Sequence, residues 1–218
     1  MGETENALRQ LAPHLKPGAI VTDAGSTKAS VVAAARAALG PRVADFVPGH
    51  PIAGSEQSGP AAARVDLYRG RRVVLTPLPE TRGDATASVR ALWEATGGEV
   101  ELLDAEQHDR IFAAVSHLPH LAAFALVDDL AQRPDSEAFF RFAASGFRDF
   151  TRIAGSSPEM WRDIALANRT AVLAELDAYV DALRALRVAV SENDGETVLT
   201  IFSRARASRE NWMKQLGA

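Results

Sequence analysis

The fold turns on "AIVTDAGSTKASVVAAARAALGPRVADFVPGHPIAG", residues 19–54. A short β-branched run, "AIVTDAG", leads into an alanine-rich helical stretch from Lys28 to Leu39, which Gly40-Pro41 stops. A second apolar run, "ADFVPG", then delivers His50 between Gly49 and Pro51. Strand, helix, strand in this order predicts a parallel pair joined by a crossover helix. The pattern extends outward on both sides. Residues 4–16 read as an amphipathic helix closed by Pro17-Gly18, "RRVVLTP" as a strand, "ATASVRALWEATG" as a helix and "GEVELLD" as a further strand.

After Asp104 the texture changes to long helical periodicity, with helices expected over 105–131, 135–144, 158–190 and roughly 195–215. In 158–190, Trp161, Ile164, Val172, Leu173, Leu176, Tyr179, Val180 and Leu183 recur at helical spacing, which suits packing against other helices or a second subunit. The predicted class is therefore α/β followed by all-α, divided near residue 104 into 1–104 and 105–218. No G-x-G-x-x-G or Walker-type loop occurs. The first part, too short for both strand-helix halves of a dinucleotide-binding fold, corresponds to the second half of one, a partial Rossmann-like parallel sheet.

Composition narrows the functional classes. The chain has 218 residues, 47% of them hydrophobic, which is enough for a substantial core. Net charge is −4 and the basic residues are dispersed, so neither nucleic acid nor an anionic membrane is an expected partner. Without cysteine there is no disulfide, thiolate nucleophile or Cys-ligated metal, which fits a reducing cytoplasm. No apolar stretch reads as long enough to span a membrane, and the acidic, polar start "MGETENALRQ" is unlike a signal peptide.

Five histidines are present, and His50 has the most telling place. Gly49 and Pro51 suggest a turn at the carboxyl end of a strand, where catalytic groups concentrate and a neutral imidazole accepts a proton. Ser26 occupies the equivalent place after the preceding strand; it suits a helix cap and equally a hydroxyl in the ligand crevice. His117 and His120, three apart around Pro119, suit packing at a kink, and no acidic set completes a metal site with them. In "GFRDFTRIAGSSPEMWRDI", Phe147, Phe150 and Ile153 suit a core. Asp149 and Arg152 are spaced to pair, either as a surface ion pair or as a guanidinium held for a carboxylate. Ser156 or Ser157, with Pro158 and Glu159, predicts a helix start.

Four segments in order, "VTDAGSTK", "PGHPIAGSEQSG", "VSHLPHLAAFAL" and "GFRDFTRIAGSSPEMWRDI", resemble the prephenate dehydrogenase family, from about Leu11 to Val190. The resemblance implies oxidative decarboxylation of prephenate to 4-hydroxyphenylpyruvate in tyrosine biosynthesis, with NAD or NADP as cofactor and arogenate as the alternative substrate. It implies that His50 takes the ring hydroxyl's proton and that Ser26 orients that hydroxyl. Arg152, held by Asp149, would clamp a carboxylate. His120, His117 and Ser116 would line the pocket, and Trp161 would close its wall. Asp23, Gly25, Ser26 and Pro51 would face the cofactor. The helical part would be a dimerisation domain and the protein a homodimer. The family's glycine-rich turn is not in this sequence, so the chain alone is expected to bind cofactor weakly and turn over slowly or not at all, with a strand edge of the sheet left open unless another chain or a swap covers it. Two other readings remain: a different Rossmann-plus-helices dehydrogenase, which would use a catalytic lysine, and a dimeric module that binds substrate without oxidising it.

Overall fold

The computed structural model describes residues 2–54, 59 and 63–216. Ser55 to Ser58, within the "PGHPIAGSEQSG" motif, lie outside the described residues. Strands β1 (Val21–Thr22) and β2 (Phe46–Val47) pair in parallel, Val21 opposite Phe46, and helix α2 (Ala29–Leu39) makes the crossover. Val31, Val32, Ala35 and Leu39 of α2 bury against Val21, Phe46 and Leu8. Leu8 comes from α1 (Thr4–Leu11), which a 3-10 turn at Ala12–His14 prolongs. Each large aliphatic side chain removed from water in this cluster contributes about 1.5–3 kcal/mol. α2 ends where Gly40 takes φ 53°, a conformation that costs a glycine little.

Pro48 turns the chain out of β2 into β3 (Gly49–Pro51), which pairs antiparallel with β4 (Arg72–Leu75), His50 opposite Val74. β4 then pairs in parallel with β5 (Glu99–Leu102), with α3 (Gly83–Ala95) as the crossover. The expected parallel arrangement thus holds for β1–β2 and β4–β5 but not for β3–β4, where no crossover helix intervenes among the described residues, and an antiparallel pair needs none. Gly49 and Pro51 are strand residues, not turn residues. Gly49 is required by packing: a Cβ there would meet the Asp23 carbonyl oxygen at 3.0 Å and Leu75 Cδ2 at 3.2 Å.

The helical part begins with α4 (Ala105–Phe112), a π-type turn at Ala113–His117 and α5 (Leu118–Ala131), continuous over 27 residues. By length and apolarity this run meets the test for a membrane span, which corrects the reading that none does. Its face toward the β strands nevertheless carries a buried polar network, described below. α6 (Ser136–Phe142) follows, and "GFRDFTRIAG" is helical as α7 (Ser145–Thr151) and a 3-10 turn at Arg152–Gly155. Ser157 Oγ accepts from the Met160 N–H at 3.2 Å and starts α8 (Pro158–Ala167).

The helix expected over 158–190 is two helices. Asn168, at φ −106° and ψ 31°, separates α8 from α9 (Arg169–Ser191), because its side chain bonds groups on the α4–α5 run. The chain clusters into two units, Met1–Val172 and Leu173–Ala218. The second holds α9 from Leu173 onward and α10 (Gly195–Leu216). Asn193 adopts φ 54° between them, and Asp194 Oδ1 accepts from the Thr197 N–H at 3.0 Å to cap α10.

Candidate active site

His50, Pro51, Ile52 and Gly54 form one wall of a cavity of about 450 Å³; Phe112, Ser116, His120, Arg152, Ile153, Met160 and Trp161 form the other. The strand layer and the helices of the first unit meet here. The π-type turn widens the helix at Ala113–His117 and places Ser116 in the cavity wall while His117 turns inward.

His50 stands against His108, its Nδ1 2.8 Å from His108 Nε2. His108 Nδ1 in turn lies 2.8 Å from Asp109 Oδ1. Asp109 also receives the backbone N–H groups of Lys28 (2.7 Å, Oδ1) and Ala29 (2.9 Å, Oδ2), the first donors of α2. Hydrogen bonds from His108 and these amides hold the Asp109 carboxyl below its ordinary pKa although burial opposes them. Burial foremost, then His108, Lys28 and His117, brings the His50 imidazole down to about 3. His50 is accordingly neutral across the physiological range, and its Nε2 meets no protein group among the described residues.

His120 is fixed from both sides. Its Nδ1–H donates to the Ser116 carbonyl at 2.9 Å, and its ring stacks on Trp161 with centroids 3.6 Å apart and 19° between planes. A carbonyl only accepts, so Nε2 of His120 is a lone-pair acceptor. Burial keeps this ring below the usual histidine pKa despite the carbonyl. Trp161 is 9% exposed, and its indole N–H has no partner among the described residues.

Other expected site residues sit apart. His117 is buried behind the cavity, where Asn168 Nδ2 donates to its Nδ1 at 3.1 Å and to the Asp109 carbonyl at 2.7 Å. Asp149 is exposed beside Arg148 at 3.7 Å and does not line the cavity; Arg152 does. Ser26 is half-buried after β1 and does not cap α2, since Asp109 takes the amides a cap would take. Asp23 receives the N–H of Gly25 (2.7 Å) and of Gly49 (3.0 Å) and the buried Lys28 ammonium (2.5 Å), whose Nζ also donates to the Gly49 carbonyl at 2.6 Å. Its carboxylate therefore locks the carboxyl ends of β1 and β2 side by side. The carboxyl ends of parallel strands are where open α/β sheets receive a nucleotide.

His108, Asp109, Lys28 and Asn168 were not singled out from the sequence. The one local signal was "QHDRIF", where His108 and Phe112 share a helix face next to an acid.

Parallel strand ends, a neutral imidazole and a helical wall bearing an arginine suit the class of nucleotide-binding dehydrogenases. Residues 1–102 match the model of the prephenate dehydrogenase nucleotide-binding domain, and 104–204 that of the prephenate dehydrogenase dimerization domain. The chain belongs to the prephenate dehydrogenase family. It is 37% identical over 201 residues to cyclohexadienyl dehydrogenase of Zymomonas mobilis, covering 91% of this chain and 68% of that one. Against prephenate dehydrogenase of Bacillus subtilis the identity is 39% over 204 residues, covering 91% of this chain and 54% of the relative. The chain thus spans between about half and two thirds of the length of these relatives. Among solved structures, Aquifex aeolicus prephenate dehydrogenase in complex with hydroxyphenyl propionate and NAD+ superimposes with a TM-score of 0.89 at 38% identity, covering 96% of this chain and 72% of that one. Synechocystis arogenate dehydrogenase gives 0.80 at 30% identity, covering 95% and 74%.

Proposed function

We propose that this chain carries out the NAD-dependent oxidative decarboxylation of prephenate to 4-hydroxyphenylpyruvate, in tyrosine biosynthesis in the cytoplasm, with NADP as the alternative cofactor. The observation that carries this reading is one cavity presenting both a neutral His50 and the Arg152 guanidinium. A cyclohexadienol needs a base for its hydroxyl proton at one end and a cation for its carboxylate at the other.

The carboxyl ends of β1 and β2 suit the cofactor's nicotinamide end. Asp23 and Gly49 hold the strand ends together, and Asp23, Gly25, Ser26 and Pro51 are the residues that would border the ring. A bound nicotinamide would supply the acceptor for the hydride of the carbinol carbon. His50 Nε2 takes the ring hydroxyl's proton and returns it to the phenolate oxygen once carbon dioxide has left, so the protein neither gains nor loses a proton over the cycle. Ser26 orients the hydroxyl, and Arg152 clamps a substrate carboxylate. Ser116 and His120 border the side chain, Trp161 closes the wall and excludes water, and His117 supports them from behind. The division of labour falls at residue 104: the α/β part up to it presents the base, and the helices from 105 supply the walls and pair two copies into a homodimer. The likeness to an arogenate dehydrogenase makes arogenate, which bears an amino group where prephenate has a keto group, the second substrate to try.

The test is the absorbance of NADH on mixing the chain with abundant NAD and either substrate. Turnover with prephenate that needs His50 is expected, with Arg152→Ala raising KM. Absence of both turnover and binding with prephenate and arogenate would overturn the assignment.

A further inference from the structure

The buried pair His108 and Asp109 is not needed to shape the cavity, since neither lines it. Both are nearly inaccessible, at 0% and 4% exposure, and they come from α4, whereas His50 comes from β3. A histidine and an acid buried together behind a base call for an explanation beyond packing.

With His108 neutral, the donor and acceptor chemistry of its partners fixes the protons. Asp109 accepts two backbone N–H groups, from Lys28 at 2.7 Å and Ala29 at 2.9 Å, and these favour its ionised form. An ionised carboxylate only accepts, so at 2.8 Å the proton sits on His108 Nδ1. His108 Nε2 is then a lone pair, and the group facing it at 2.8 Å, His50 Nδ1, must carry its proton. What remains on His50 is a bare Nε2. The opposite order would set a lone pair of His108 against the carboxylate, two acceptors in contact with no proton between them.

We propose that His108 and Asp109 are positioning residues that hold His50 in its Nδ1–H tautomer, so that Nε2 is the proton acceptor in the cavity. The chain has a direction and an anchor. It runs from the first amides of α2 through Asp109 and His108 to His50, and it ties the base to the seating of α4 on α2. As His50 becomes cationic, the buried carboxylate two rings away stabilises the charge without a change of geometry. Asp109 thus ends the relay and accepts the two amides, of Lys28 and Ala29, at the start of α2 with one side chain.

The inference rests on the proton-accepting role of His50, and its test separates the two. Imidazole 15N–1H correlation spectra of the parent chain, without substrate, should show His50 and His108 both as Nδ1–H tautomers near neutral pH. Asp109→Asn should shift His50 toward the Nε2–H tautomer and lower kcat about 10- to 100-fold with KM within a few-fold. A merely structural role would lower thermal stability and leave the His50 tautomer unchanged. Should Asp109→Asn fail to fold, His108→Gln gives the second reading, and the parent spectrum decides by itself: an Nε2–H tautomer at His50 overturns the proposal. Absence of both turnover and substrate binding in the parent chain would sink the proposed function, while the spectra would still decide the relay.

Discussion

His50 sits where an imidazole is least willing to hold a charge, and that sets its use. Because burial and its neighbours lower its pKa to about 3, it is neutral at any pH the cell meets and would enter the proposed reaction so. Replacing it with Asn removes the proton acceptor and keeps a polar side chain of similar reach. His50→Asn should therefore lower kcat about 10²- to 10⁴-fold with little change in KM, read from steady-state NADH formation. The same shift has a consequence for stability. His50 near 3 and His117 near 4 both lie below the 6.5 of a solvent-exposed histidine, so between pH 6.5 and 4 the unfolded chain binds protons that the folded chain refuses. Stability should fall on acidification through that window, by up to about 1.4 kcal/mol per pH unit for each of these histidines. Urea midpoints measured from pH 7 to 4 check this; a flat profile would contradict it. His50 itself stood out in the sequence, as a histidine directly after a strand. Its partner did not, because the contact joins residues 58 apart, and no local pattern encodes it.

At the scale of elements, two buried side chains hold the site's framework, and each belongs to a junction. Lys28, fully buried, bonds Asp23 and the Gly49 carbonyl and so pins the start of α2 to the end of β1 and the start of β3. Lys28→Met leaves Asp23 without its cation and should cost about 3 kcal/mol, measured by chemical denaturation. Asn168, between α8 and α9, satisfies the Asp109 carbonyl and His117 together. Asn168→Ala strands both and should cost about 1–3 kcal/mol, with a larger loss for Asn168→Asp, whose buried carboxylate cannot donate to the Asp109 carbonyl. Helix existence was legible from 3.6-residue periodicity, as in α2, α3 and α10. The break at Asn168 was not, since apolar residues continue at helical spacing on both sides of it. The antiparallel step at β3–β4 was equally hidden: three residues carry no periodicity, and the pairing is with a strand more than twenty residues on.

Across the whole molecule, the second unit leaves Leu183, Val190, Leu199, Phe202 and Trp212 in solvent, more apolar surface than two helices sustain on their own. A second copy covering these residues is the expected state of a chain whose helices match a dimerization domain. Leu199→Glu with Phe202→Glu should shift the chain to monomer in sedimentation velocity, and an unchanged mass would place the interface elsewhere. The sequence by itself determined the order of elements, the change from α/β to helical texture near residue 104 and the family, because periodicity, breaker residues and motifs are local along the chain. It also singled out His50, Arg152, His120 and Trp161, which the fold brings to one cavity. Only the tertiary structure decided that Asp109 caps α2, that His117 faces away from the cavity and that His108 backs the base. Those assignments are settled by which buried donor meets which acceptor across 50 to 80 residues of chain, and only the closed core, where an unpaired polar group is costly, selects among them.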